Sequence, residues 1–594
     1  VPPAKRHSMR IINLTLLVLC ILSGLAGIAY LGFDPLVRSI VLKRLVLSNT
    51  SDTFHIWEDP PISPHLKVYF FNITNPKKVF DGLEKPHLVE LGPYTYTQQW
   101  LKQNITWHDN GTISYKTRKI FTFSPKDSCD GCQDTSDLVT TLNVPAISAY
   151  YQNRHYSWWH PVRNALNWGV PSTLGYKPYV TKTVNELLWG YDEPLFTAAQ
   201  TFMPNPPPFD RFGLFLLKNS SKEEDLGEYS MYTGEGDPYR LATIHSYNNK
   251  QDLDFWNETR CNKVHGSDGA SFNPYIKKTD TLWFFNDQLC RAMPLVFDRQ
   301  IEQEGLPGLR FVPSEEVFMS ADKYPQNSCF AGEDRLVGDG VFDVTVCQFD
   351  SPIIVSWPHF LGAEDKFRDA VTGMKPEKEK HGFWFDIQDV TGTTLSAKAR
   401  FQINMNVPKI ENYDDLAHIN TTVIPILWME EGIDELGPEI IGVLKQAVTE
   451  PREWRQIILW VCLGMFATLV VLAGVALARI ILNRSKVERV RENLESIISN
   501  GLQHENNCQL IQPMLGGYLE SGDSSRSTTA THSRSSSEGV TPPYAVVNQV
   551  VNSAPSGDLR RPKSLGTPNM AAPLWPNTKE ESTTEGRQHV ANSN

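Results

Sequence analysis

Residues 261–272 read CNKVHGSDGASF, with a cysteine, a histidine and a serine set close together and two glycines among them. Whether this stretch is a reaction centre or scaffold decides what kind of molecule the chain is. A catalytic Cys261 must be a thiolate, whereas an oxidised Cys261 is a covalent staple and inert as a nucleophile. The esterase elbow requires G-x-S-x-G, and the chain around Ser267 reads HGSDG, which fails at the first glycine. A zinc centre needs paired ligands at close spacing, and Cys261 with His265 has no second pair nearby. Gly266, Ser267, Asp268 and Gly269 are therefore expected to form a turn, with glycine taking positive φ and aspartate bonding its own backbone. No catalytic residue, metal or cofactor is expected.

The compartment follows from the ends of the chain. Residues 11–33 and 457–478 are apolar and uncharged, and each is long enough for the roughly 20 residues that cross a bilayer. The first exceeds a signal-peptide core and lacks an A-x-A-like site, so an uncleaved anchor is expected. The chain begins at Val1 and not at a methionine, so some N-terminal residues are expected to be missing. Lys5, Arg6 and Arg10 precede the first span, and Arg479, Arg484, Lys486, Arg489 and Arg491 follow the second, which favours cytoplasmic termini. Arg38, Lys43, Arg44, Arg452 and Arg455 on the outer flanks weaken that bias at the first span. The expected organisation is a cytoplasmic 1–10, a span at 11–33, an extracellular or lumenal ectodomain at 34–456, a span at 457–478 and a cytoplasmic 479–594.

Glycosylation acceptors agree with this placement. Asn49, Asn72, Asn104, Asn110, Asn219, Asn257 and Asn420 all head Asn-x-Ser/Thr triplets in the ectodomain, whereas Asn13 and Asn483 lie in or behind a span and should stay bare. Six of the 9 cysteines, Cys129, Cys132, Cys261, Cys290, Cys329 and Cys347, fall in the same segment, an even number in an oxidising compartment. Cys129 and Cys132 have C-x-x-C spacing without a companion pair, so a tight local disulfide is favoured over a redox or zinc role.

Alternating segments predict a mainly antiparallel β ectodomain. Tyr94, Tyr96 and Gln98 alternate with Thr95 and Thr97, and Phe401, Ile403 and Met405 alternate with Gln402 and Asn404, as half-buried strands do. Further strands are expected at 67–73, 113–123, 212–217, 309–312, 341–347, 352–357 and 383–388. Residues 144–190 differ and read as a helical cap. One helix is expected over 146–159, and another from Val184, where Thr183 and Glu186 have capping-box spacing and Gly190 can stop it. Across this segment Arg154, Arg163, Lys177 and Lys182 stand among Tyr151, Tyr156, Trp158, Trp159 and Trp168. Such aromatics can be core; alternatively, aromatics with cations form a surface for anionic amphiphiles.

LGPYTY at 91–96, NELLWGY at 185–191, the run beginning at Cys261 and ending NPYI at 276, WFFNDQLCRA at 283–292, PHFLGA at 358–363 and FDIQDVTGTTL at 385–395 occur in one order. Together they resemble the class B scavenger receptor family, which includes fatty-acid and lipoprotein receptors, lysosomal integral membrane proteins and sensory neuron membrane proteins. The resemblance runs from about residue 10 to 485. It implies an α+β membrane protein, with an antiparallel β-barrel crossed by a lipid tunnel, a helical cap where ligands dock and two transmembrane helices. It also implies disulfides Cys261–Cys329 and Cys290–Cys347. Ala331 stands where many members have a further cysteine, and Cys129 and Cys132 lie outside the family pattern.

The tail divides in two. Val487, Val490, Leu494, Ile497 and Ile498 share one helical face, expected to lie on the membrane surface or against a partner. Beyond Gly501 the Ser, Thr, Asn, Pro and Gly content predicts disorder. ENNCQLI at 505–511 and the tyrosine signal at 544–547 leave plasma membrane and endolysosome both open.

The function expected is capture of lipid or lipoprotein ligands at the cell surface or in endolysosomes, with transfer of lipid to the membrane. Fatty acid, sterol, phospholipid and carotenoid classes fit, nucleic acid does not, and small-xxx-small spacing in the spans is compatible with homo-oligomers. The alternative is a two-span ligand-gated channel, disfavoured because the second span offers only Thr468 as a pore-lining polar group.

Overall fold

The computed structural model describes residues 3–152, 177–196, 211–220, 222, 226–331, 338–410 and 414–507. Among these, residues 24–463 form one compact unit and residues 3–23 with 464–507 another. Both expected spans are helical, within helix Pro3–Leu45 and helix Pro438–Asn507. Their apolar side chains, such as Leu31, Trp460 and Phe466, are exposed, as in a segment whose solvent is lipid. The amphipathic stretch after Arg484 is not a separate helix. It continues the second long helix without a break, because no proline follows Pro451 until Pro513.

The large unit is built on strands. In chain order they are His65–Ile73 (β1), Leu88–His108 (β2), Thr112–Phe123 (β3), Leu138–Leu142 (β4), Tyr179–Thr183 (β5), Tyr191–Asp192 (β6), Arg211–Phe212 (β7), Glu228–Tyr232 (β8) and Ile244–Tyr247 (β9). After them come Leu282–Asn286 (β10), Arg291–Gln303 (β11), Leu306–Pro313 (β12), Val341–Asp343 (β13), Ile353–Ser356 (β14), Trp384–Ile387 (β15), Thr394–Val407 (β16) and Thr422–Ile433 (β17). The main sheet runs β10-β11-β12-β15-β16-β17-β1-β2-β3-β8-β9, with β13 and β14 attached to β16.

The two ends of that sheet meet at the HGSDG stretch. Ile244 N–H of β9 donates to the Gly266 carbonyl, while Ser267 N–H donates to the Trp283 carbonyl and Phe285 N–H of β10 donates back to the Ser267 carbonyl. Two residues thus join β9 to β10 and bring the antiparallel sheet close to a closed barrel. Gly266 has φ +90, and a Cβ there would lie 2.2 Å from the Trp283 carbonyl oxygen. Only glycine combines that conformation with so close an approach.

Several expectations need correction. Gln402 and Asn404 are fully buried, although alternation placed them toward solvent. A polar layer on the outside of the barrel covers them: Gln402 accepts from His359 N–H and donates to Asn404, and Asn404 donates to the Ile354 carbonyl and Ser356. The 212–217 segment is not a strand beyond Phe212. Leu214 and Phe215 N–H instead donate to the Leu187 and Leu188 carbonyls, groups that the end of the preceding helix leaves open. The strand expected at 341–347 stops at Asp343 and becomes a 3₁₀ turn at Thr345–Cys347.

The expected cap region contains helix Val144–Gln152, then strand β5 paired with β4, then helix Val184–Trp189. That last helix has the full Thr183/Glu186 capping box and ends at Gly190.

Candidate functional site

Register identifies the inner face of the barrel. On β2, Tyr94, Tyr96, Gln98, Trp100 and Lys102 point one way, and on β3 their partners Phe123, Phe121, Lys119 and Thr117 point the same way. Contacts between strands that are not neighbours show this to be the concave side. Lys119 on β3 hydrogen-bonds Glu431 on β17, with β1 and β2 between them. On the same side, Phe121 of β3 meets Trp189 of the helix Val184–Trp189 at 4.9 Å between ring centres. Val68, Met429, Phe401, Phe311 and Leu295 continue the lining with apolar surface.

Three lysines stand on or against this face. Lys119 and Lys218 share the Glu431 carboxylate, Lys218 at 3.4 Å. Burial pushes the Glu431 pKa up, but the two ammonium groups outweigh it and hold the carboxyl well below the usual range. Lys119 keeps 28% of its side chain accessible and Glu431 keeps 20%, so this pair borders open space. Lys102 is different. Its ammonium lies 4.9 Å from the Trp57 ring centre and 4.4 Å from that of Tyr115, with Thr117 Oγ1 at 3.5 Å. Burial lowers its pKa to about 8. Tyr115 donates to Asp268 and Tyr247 donates to Asp287, so the hydroxyls of two lining tyrosines are fixed by carboxylates. An apolar, aromatic lining with a few fixed charges suits a long hydrocarbon carrying one polar end.

Lys102, Lys119, Lys218 and Glu431 were missed from the sequence. A signal existed for two of them, because Lys102 and Lys119 continue the period-2 positions of Tyr96, Gln98, Trp100 and of Phe121, Phe123. Lysine there reads as the outer face unless the strand is known to curl around an interior.

Of the expected docking patch, Arg154, Tyr156, Trp158, Trp159, Arg163 and Trp168 lie outside the described residues. Lys177 is exposed. Lys182 sits on strand β5 and not on a helix, 3.5 Å from Glu186 and 4.8 Å from the Tyr191 ring centre. The structure pairs Cys261 with Cys329, Cys290 with Cys347 and Cys129 with Cys132. Asn49, Asn104, Asn110, Asn219, Asn257 and Asn420 are exposed, while Asn72 is half-buried and accepts from Thr140 N–H. Among the described residues no group of His, Cys, Asp or Glu is placed to hold a metal.

A nearly closed antiparallel barrel with a charged cluster on its concave face, in a chain that carries a long apolar helix toward each end, defines a two-span membrane protein. The family model of the CD36 family matches residues 15–477, and the chain belongs to that family. It is 34% identical to lysosome membrane protein 2 of Homo sapiens over 425 residues, covering 70% of this chain and 85% of that protein. It is 29% identical to scavenger receptor class B member 1 of Sus scrofa over 433 residues, covering 73% of this chain and 82% of that protein.

Proposed function

We propose that the chain is a scavenger-type receptor that binds lipid or lipoprotein ligands outside the cytosol and passes lipid through the barrel interior to its own membrane. The observation that carries this reading is the concave face, where aromatic and aliphatic side chains surround the Lys119–Glu431–Lys218 cluster and Lys102. Keeping an acyl chain out of water during transfer avoids about 0.8 kcal/mol per CH₂, and the step needs neither hydrolysis nor ATP. Ligands dock first on the cap patch, for which the sequence supplies Arg154, Arg163, Lys177 and Lys182 in one segment with Tyr156, Trp158, Trp159 and Trp168. The name of one relative, lysosome membrane protein 2, supports a lysosomal membrane as the site of action, with the cell surface as the other candidate.

The test is transfer of a fluorescent fatty acid or sterol ester from lipoprotein into proteoliposomes that contain the full chain. Ala399 pairs with Glu431 on the inner face, so Ala399→Trp should obstruct passage. Transfer should fall at least tenfold while capture of lipoprotein persists. Undiminished transfer by a folded A399W protein rejects passage through the barrel. Ion conductance without lipid transfer would instead favour a channel, against which Thr468 already spends its hydroxyl on the Gly464 carbonyl of its own helix.

A further inference from the structure

The polar layer outside the barrel contains two histidines whose protonation states are set by backbone amides. His359 and His381 are 4% and 1% exposed, and their rings stack at 4.3 Å. Lys375 N–H donates to His359 Nδ1 at 3.0 Å, and Glu377 N–H donates to His381 Nδ1 at 2.9 Å. A ring nitrogen that accepts from an amide carries no proton, so both rings are held as the neutral Nε2–H tautomer. His359 directs Nε2 to Glu90 at 2.5 Å, whereas His381 Nε2 is buried without a hydrogen-bond partner among the described residues. Arg400 completes the hold on this segment by donating to the Glu379 and Gly382 carbonyls. Residues 375–382 are thus tied to the barrel wall by the His359 imidazole and the Arg400 guanidinium, while the His381 ring, bonded to Glu377 of the same segment, is buried against Trp428.

We infer that residues 375–382 are an acid-released latch on the outer wall of the barrel, closed at neutral pH and opened when the compartment acidifies. Protonating His381 turns its Nδ1 from acceptor to donor, directly opposite the Glu377 N–H, and places a cation in a buried layer.

The charges around His381 act in both directions. Arg400 of β16 and Lys380 of the latch oppose a charged His381, with His359 of the PHF turn beside it. Glu90 of β2 pulls the other way, but its carboxylate also serves His359, Trp428 and Lys380. Glu430 of β17 is engaged by Arg400, His65 and Lys398. Tyr69 of β1 stacks on Trp428, which meets the His381 ring edge-on at 5.4 Å. Gln402 is neutral and Lys375 contributes its amide.

Burial, foremost, lowers the His381 pKa to about 4, against about 6.5 for a solvated imidazole. A depressed histidine pKa stabilises the closed state above the solvated value and loses that stabilisation as pH falls toward the buried one. Between pH 7.4 and pH 5.0 the opening equilibrium should therefore rise roughly 30-fold from His381 alone. This inference stands on the barrel wall and not on the lipid reading, so each can fail without the other.

The experiment is amide hydrogen exchange on the full chain in detergent micelles at pH 7.4 and 5.0, corrected for intrinsic exchange and read on peptides covering 373–383. Opening of the wild type should increase by roughly 30-fold, while peptides of β1 and β17 stay protected. In His381→Asn the side-chain oxygen stands near the Nδ1 position and accepts from Glu377 but does not titrate, so the pH response should shrink to a few-fold. Corrected protection that is unchanged between the two pH values in the wild type overturns the proposal, whether or not the variant folds. A folded H381N protein with the full wild-type response also overturns it.

Discussion

Lys102 and Gly266 show how single residues position the site. Lys102 places an ammonium between two aromatic rings inside the barrel, and no carboxylate lies within ion-pair distance among the described residues. Replacing a buried unpaired charge with an apolar chain of similar length removes a desolvation cost, so Lys102→Met should be neutral or stabilising. Because its folded pKa of about 8 is below the solvated value near 10.4, the unfolded chain binds more protons between these limits. Wild-type stability should therefore gain about 2–3 kcal/mol on K102M between pH 7.5 and 10, measured by denaturant unfolding of both proteins. A constant difference across that range would show that Lys102 is solvated. At the seam between the two ends of the sheet, Gly266→Ala introduces a Cβ at positive φ and against the Trp283 carbonyl. We expect a loss of about 2–4 kcal/mol in thermal unfolding, with protection lost first in β9 and β10.

At the scale of elements, the disulfides divide the labour with the strands. Cys261–Cys329 and Cys290–Cys347 close loops of 68 and 57 residues, so by the chain-entropy model each contributes about 4 kcal/mol. Cys129–Cys132 spans only 3 residues, and its contribution by the same model is about 2 kcal/mol. Cys290→Ser should cost most of the larger figure in a reversible melt, and the double change C129A/C132A clearly less; equal losses would mean that the short bridge also orders the neighbouring loop. The capping box at Thr183 was readable because it is local, three residues apart with both partners on one turn. The 212–217 strand was misread because its amides are claimed by carbonyls of another element, which no local pattern announces.

For the whole molecule, the topology predicts where sugar is found. Glycopeptide mapping should detect glycans at several of Asn49, Asn104, Asn110, Asn219, Asn257 and Asn420, lower occupancy at the half-buried Asn72 and none at Asn483. Sugar on Asn483 would put the residues after the second span outside the cytosol and reverse the orientation. The buried polar layer and the concave lining both arise from curling of the sheet, which gives each strand an inner face and an outer face toward packed loops.

What the sequence determined by itself was whatever depends on short range or on composition: two apolar spans, an even set of cysteines between them, strand periodicity, the helix cap at Thr183 and the failure of the esterase-elbow pattern at Ser267. Those features carry their own physical signal, in transfer free energy, side-chain alternation or fixed hydrogen-bond spacing. The tertiary structure alone decided which face of each strand is inside. Curling of the sheet turns Lys102 and Lys119 toward an interior and buries Gln402 and Asn404 under His359, because burial of a strand face depends on what packs against it and not on the residues that alternate along it. The same closure gave the HGSDG stretch its role, as two residues whose backbone joins the first and last edges of the sheet.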